Sequence, residues 1–240
     1  MTRTVSTEAR TSRAPSPTGV LGPGDGLAVS PPDRRCRPWS LDNGVRRAIF
    51  PPDRTLRALE LAPGQTVVDL GAGVGYFAQA ILERIGPEGR LILVDPDERN
   101  LRRARERLTG DSRVEFRVGE AGTALDLPEV SADRLLLYLV LCCLHDKEGA
   151  LAKAWSLLRP GGLALVSYPV RRRSSRRTLR MTDERWASLV LERPWRVERS
   201  WGRFLRHHLL RKPAPPEPQA AGGGASSIRR EIQDSLPART

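Results

Sequence analysis

Val67-Val68-Asp69-Leu70-Gly71-Ala72-Gly73-Val74-Gly75-Tyr76-Phe77 is the stretch from which the fold can be read. An apolar run ends on an acidic residue, glycines follow at alternate positions, and an amphipathic segment begins at Tyr76. This is the pattern of a strand entering a tight turn that opens a helix. Glycines at such a turn let the backbone approach a ligand closely. The dinucleotide fingerprint G-x-G-x-x-G needs a third glycine where this sequence has Tyr76, which disfavours a nicotinamide or flavin cofactor. No Gly-Lys-Ser/Thr follows either, so no lysine is placed for the terminal phosphates of a nucleoside triphosphate. What remains is a ligand with an adenosine-like part and something other than pyrophosphate at the turn.

Outward from that turn, short apolar runs alternate with longer amphipathic ones. A helix is predicted over 53–61, the strand QTVVDL over 65–70, and a helix over 76–85 stopped by Gly86-Pro87. The strand RLILVD, an arginine-studded surface helix over 97–108, and the strand VEFRV come next. DRLLLYLVL reads as a fourth strand, apolar enough to be buried on both faces. A helix over 147–158 ends at Arg159-Pro160-Gly161-Gly162, and LALVSY forms a fifth strand. This rhythm predicts a doubly wound, mostly parallel α/β sheet. A helix over 183–191 follows, and then WRVERSW and RFLRHHLL, separated by Gly202, predict an antiparallel hairpin added to the sheet edge.

Residues 1–38 and 213–240 are rich in Pro, Gly, Ser, Thr and Ala without apolar periodicity, and both are expected to be disordered. The 39–212 segment is long enough for one domain with a two-sided core. Within the 240 residues, 39% are hydrophobic and 28% charged, as in a soluble globular chain. No apolar run approaches the roughly 20 residues of a spanning helix. Cys36, Cys142 and Cys143 offer no disulfide framework, and the expected compartment is the cytoplasm. The opening MTRTVSTEARTSR loosely resembles an organellar transit peptide, but it lacks apolar residues at helical spacing and soon meets Pro15 and Pro17.

With these elements in order, the 39–212 segment resembles the class I S-adenosylmethionine-dependent methyltransferases, closest in pattern to the quinone-biosynthesis and arsenite-methylating branches. DLGAGVGYFA is the most specific element. Asp133 opens the fourth strand as the family's F-D-x-V motif does, and LLRPGGLALV matches its L-K-P-G-G turn. The resemblance implies a Rossmann-like fold of seven strands and S-adenosyl-L-methionine as cofactor. It places Asp69, Gly71, Ala72, Gly73 and Gly75 at the cofactor turn, and Asp95 with Pro96 where a carboxylate accepts the ribose hydroxyls. Glu120 and Ala121 then fall near the adenine amino group. Trp39 to Pro52 is similar to the helix that many of these enzymes lay over the cofactor, with Trp39, Arg46 or Arg47 as closing residues; an ordinary packing helix is the other reading.

Methyl transfer from a sulfonium needs alignment, exclusion of water and, for some acceptors, a base. Any catalytic residue should follow the fourth strand, at the carboxyl edge of the sheet. Tyr138 and His145 are the candidates there, and a capping or surface histidine beside Asp146 is the competing reading of the second. The V-L-H-H of related branches is replaced by Val140-Leu141-Cys142-Cys143. The two cysteines with remote Cys36 form no recognised zinc spacing, so no metal is expected. Neither a Cys beside Pro nor an N-P-P-Y motif marks base methylation.

All but three of the 40 basic residues are arginine, and the formal net charge is +12. Fourteen basic residues against four acidic ones fall between positions 171 and 212. RRRSSRRTLR, with Trp186, Trp195 and Trp201 interleaved nearby, leaves two readings. One is an enzyme acting on a small molecule, with the basic charge suited to an anionic one. The other is a nucleic-acid-binding or RNA-modifying protein on the same fold.

Overall fold

In the computed structural model, residues 42–122, 127–129, 131–170 and 181–215 are described. Trp39, Cys36, the arginine run at 171–180, the 1–38 segment and the chain beyond 215 lie outside the described residues. Five strands run parallel: Thr66–Leu70 (β1), Arg90–Asp95 (β2), Val114–Val118 (β3), Ala132–Tyr138 (β4) and Leu158–Pro169 (β5). Arg196–Trp201 (β6) and Leu205–Arg211 (β7) complete a seven-stranded sheet in the order β3-β2-β1-β4-β5-β7-β6. β7 is antiparallel to both β5 and β6, which is the predicted hairpin.

Period-two alternation sends successive strand residues to opposite faces, and the core divides accordingly. Val67 and Leu136 join one apolar cluster, whereas Val68, Leu135 and Leu137 join the other. Helices Ala78–Ile85 (α3) and Glu98–Arg107 (α4) cover the first face through Ile81, Leu82, Leu101 and Ala104. Helices Lys147–Leu157 (α5) and Asp183–Leu191 (α6) cover the second through Leu151, Ala154, Trp186 and Leu189. Two short helices, Gly44–Ile49 (α1) and Pro52–Leu56 (α2), precede the sheet. No described helix is long and apolar enough to cross a membrane.

Local chemistry sets the helix starts. Asp97 caps α4 by accepting the Arg99 N–H, Asp146 caps α5 by accepting from Gly149, and Thr182 caps α6 by accepting from Arg185. α4 also places Glu98 in its first turn and Arg105 and Arg107 in its last, matching the helix dipole. Beyond shifts of one or two residues, the boundaries differ from the sequence prediction in three places. The helix predicted over 53–61 is α2 followed by a 3₁₀ turn at Arg57–Leu59, ended by Glu60 in the left-handed region. The fourth strand stops at Tyr138, because Leu139 takes a positive φ of 62° and turns the chain away. The fifth begins at Leu158 rather than 163: Ala132 pairs with Leu158, and Gly161 and Gly162 exchange backbone hydrogen bonds with Lys212 beyond β7.

β1 leads to β2 on one side of the sheet, while the chain returns to β4 on the other. The order therefore reverses between β1 and β4, and a crevice opens beyond their carboxyl ends.

Candidate active site

A cavity of about 600 Å³ fills that crevice, a volume in the range of small-molecule sites. Its floor is the turn after β1. The N–H groups of Gly71 and Ala72 both donate to the Val94 carbonyl, at 2.7 and 2.9 Å, so β2 extends its pairing into the turn and fixes it. Gly71 has φ 83°, and a Cβ there would lie 2.2 Å from Val140 Cγ2. No other residue type fits without moving the β4 turn. Gly71, Ala72 and Gly73 line the cavity. Gly75 does not; it packs against α4, where an added Cβ would stand 3.3 Å from Ala104.

Two acids meet at this floor. Asp95, at the end of β2, accepts from the Gly73 N–H at 2.8 Å, the Asp97 N–H at 2.9 Å and Asn100 Nδ2 at 3.1 Å. An ionised carboxylate offers about four acceptor positions, so capacity for a ligand hydroxyl remains. Burial raises the Asp95 pKa, and the three donors oppose that rise. Asp69, at the end of β1, is 2% exposed, and its Oδ2 has no hydrogen-bond partner among the described residues. Burial, reinforced by the charge of Asp95 and opposed by Arg46, pushes its pKa up to about 7. A buried acceptor without a donor is costly unless a ligand supplies one.

Pro96, Glu120 and Ala121 line the adjoining wall. Asn100 was not foreseen. It looks like one more polar residue in an arginine-rich helix, but it shares the buried face of α4 with Leu101 and Ala104.

α1 and the residues flanking it add Asn43, Val45, Arg46 and Phe50 to the cavity wall. Asp42, just before the helix, binds Arg47 through two contacts of 2.7 Å and also pairs with Arg107 of α4. Tyr76 donates its hydroxyl to the Phe50 carbonyl at 2.6 Å. Of the two arginines considered for closing the site, Arg46 is the one at the cavity. Its guanidinium lies 4.1 Å from the Tyr76 ring centroid and 5.9 Å from that of Tyr138, within cation–π range. Arg47 serves the Asp42 clamp.

Of the two catalytic candidates, Tyr138 lines the cavity, and burial pushes its hydroxyl up to about 12, so it stays protonated at neutral pH. His145 is exposed and is not part of the cavity wall. Among the described residues no cluster of three or more His, Cys, Asp or Glu is placed to hold a metal.

Residues 67–162 match the family model described as a methyltransferase domain. That span, 96 of the 240 residues, is similar to a methyltransferase domain. The chain is 33% identical over 115 residues to the ubiquinone/menaquinone biosynthesis C-methyltransferase UbiE of Hydrogenovibrio crunogenus, covering 45% of each chain. It is also 33% identical over 109 residues to the arsenite methyltransferase of Halobacterium salinarum, covering 45% of this chain and 28% of that protein. The chain thus spans less than half the length of these relatives. In fold, the chain is similar to a SAM-dependent methyltransferase from Aquifex aeolicus, with a TM-score of 0.64 at 19% identity, over 74% of this chain and all of that one.

The cavity fits the cofactor of that family. The orphaned Asp69 oxygen, the spare acceptor capacity of Asp95 and the Cβ-free turn at Gly71 are a cationic, hydroxyl-bearing ligand's complement. Within the arginine-rich C-terminal part, several of the described residues have partners inside the chain. Arg185, Arg206 and Arg211 pair with Glu148, Asp183 and Glu198. Trp186 and Trp195 are buried, the first stacked on His208 and the second edge-on to Trp155.

Proposed function

We propose that the protein binds S-adenosyl-L-methionine at the switch-point cavity and transfers its methyl group to a small-molecule acceptor. The observation that carries this reading is the acid pair Asp69 and Asp95 at the Cβ-free turn between β1 and β4. The relatives named as a ubiquinone/menaquinone biosynthesis C-methyltransferase and as an arsenite methyltransferase support the same reaction class. Bound there, the cofactor supplies an electrophilic methyl group open to in-line displacement.

The chain's own residues supply position and dryness. The turn at Gly71 to Gly73 and the carboxylate of Asp95 orient the nucleoside, while Asp69, its pKa raised in the empty site, offers an oxygen that a cationic group would draw into the ionised form. α1, held by the Asp42 clamp and the Tyr76 hydroxyl, walls part of the cavity and excludes water there. With Tyr138 protonated and His145 outside the wall, rate acceleration rests on alignment rather than on a dedicated base.

Charge bears on the acceptor. Arg46 is the one cation among the described lining residues, against the carboxyls of Asp69, Asp95, Asp97 and Glu120. Such a wall disfavours a polyanion and suits a neutral or cationic partner, whatever the net charge elsewhere. Calorimetric titration with S-adenosyl-L-methionine tests the cofactor assignment. Wild-type protein should bind in the micromolar range, and Asp95→Ala should bind about 10- to 100-fold more weakly, the value of one or two charge-assisted hydrogen bonds. No binding by folded wild-type protein would overturn the reading.

A further inference from the structure

Helix α1 carries its polarity reversed. A surface helix ordinarily turns charged residues to water and apolar ones to the core. In α1 the arginines face inward: the Arg46 guanidinium rests on the Tyr76 ring, and Arg47 is held by Asp42. The helix buries none of its own residues. Val45 and Ile49, one turn apart and so on one face, are 70% and 60% exposed, and Ala48 between them is exposed as well. Val45 also lines the cavity, which puts this apolar face at the rim.

The β6–β7 turn repeats the arrangement on a second element. Leu205 pairs with Pro169 at the end of β5, both residues line the cavity, and the Phe204 carbonyl accepts the Val170 N–H at 3.0 Å. Phe204 itself is 81% exposed, beside an exposed Arg203. A single exposed apolar residue needs no explanation, but three of them on two elements that border one cavity mark an interaction surface.

We propose that Val45, Ile49 and Phe204 form an interfacial patch that seats the rim of the cavity on an anionic lipid surface. Charge selects this partner. The chain carries a formal +12, and fourteen basic residues against four acidic ones lie between positions 171 and 212, the stretch that includes Phe204. A second copy would bring the same positive charge, so self-association works against repulsion. A nucleic acid would satisfy the arginines but has no apolar layer for Ile49 and Phe204. An anionic bilayer has both: headgroup phosphates for the basic residues, and an acyl boundary into which apolar side chains insert. The contact is peripheral, since no described helix is long and apolar enough to cross. This surface is independent of the methyl-transfer reading.

The test is flotation of the full chain with vesicles of phosphatidylcholine, alone or with about 30% phosphatidylglycerol. Binding to the anionic vesicles should be at least about 10-fold tighter than to the neutral ones. Raising salt from about 50 to about 200 mM should weaken that binding without abolishing it, because salt screens charge and leaves apolar insertion intact. Ile49→Asp and Phe204→Asp should each weaken binding about 10-fold or more. Leu191, the last residue of α6, is 83% exposed and supplies the control. Leu191→Asp should stay within about twofold of wild type, since it lies outside the patch. All three positions are exposed, so the variants should melt with wild type, and Ile49→Ser serves should the aspartate fray α1. Indifference to anionic lipid, or vesicle binding that Ile49→Asp and Phe204→Asp retain in full, would overturn the proposal. A concentration-dependent dimer that Ile49→Asp dissolves would give the face to a second copy, and RNA retention lost in the same two variants would give it to nucleic acid; either overturns the lipid assignment.

Discussion

Asp69 shows how a single side chain ties the fold to its ligand. The sequence places an acid at the end of an apolar strand, and the strand carries it into a site where its Oδ2 has no partner and its pKa is pushed up to about 7 by burial first and the charge of Asp95 second. The sign of the consequence follows from proton binding. In the unfolded chain this carboxyl loses its proton near the ordinary value of 3.8, whereas the folded protein keeps it to about 7. The folded state binds more protons across that window, so this residue's contribution to stability falls as pH rises from about 4 to about 7. Asp69→Asn removes the titration. We expect the melting temperature of the ligand-free variant to rise relative to wild type by several degrees between pH 5 and pH 7.5. A difference between the two proteins that stays flat over that range would show that Asp69 is not held protonated. Residues of this kind were legible in the sequence as candidates, because the resemblance to the methyltransferase family singles out Asp69 and Asp95 without any structure. Asn100 was not legible, since only the packing of α4 on β2 turns its amide toward Asp95.

Elements follow the same division. Apolar runs marked β1, β2, β4 and β5, because burial on two faces leaves few alternatives to continuous apolar sequence, whereas alternation marked β3 and the β6–β7 hairpin. The ends of β4 and β5 were hidden for physical reasons. Leu139 adopts its left-handed conformation within a run of leucine and valine that advertises an uninterrupted strand. The early start of β5 depends on Lys212, about 50 positions away, whose backbone pairs with Gly161 and Gly162. Helix α1 was legible as an element, whereas its clamp was not. Burial would raise the pKa of Asp42, but the hydrogen bonds and charges of Arg47 and Arg107 outweigh it, and the pKa is lowered. The stabilisation is therefore complete at neutral pH and is lost only as pH falls through that lowered value. Asp42→Ala should free α1 while leaving the sheet intact. Amide hydrogen exchange over residues 44–50 should quicken about 10-fold, matching the roughly 1 kcal/mol of partly exposed ion pairs, with unchanged exchange in β1 and β4. Equal protection of 44–50 in variant and wild type would mean that α1 is held by other contacts.

At the scale of the whole molecule, net charge and pocket charge point in opposite directions, and that contrast separates the two functions a basic chain of this kind suggests. A formal charge of +12 guarantees some attraction to any polyanion, through counterion release that carries no specificity. The cavity at the β1–β4 reversal is walled by four carboxyls and one arginine among its described lining residues. A nucleic acid drawn to the surface would therefore meet the wrong sign at the site of chemistry. Binding of RNA and of cofactor should then be independent. We expect retention on an RNA column at about 50 mM salt, release by about 200 mM, and no change in S-adenosyl-L-methionine affinity when RNA is added at low salt. By linkage the converse must hold as well, so cofactor should leave RNA retention unaltered. RNA binding that persists above that salt, or that strengthens with cofactor bound, would place the acceptor on nucleic acid and make the arginine-rich C-terminal part its recognition surface. Independence would assign the charge to the surface alone and leave the acidic cavity to a small acceptor.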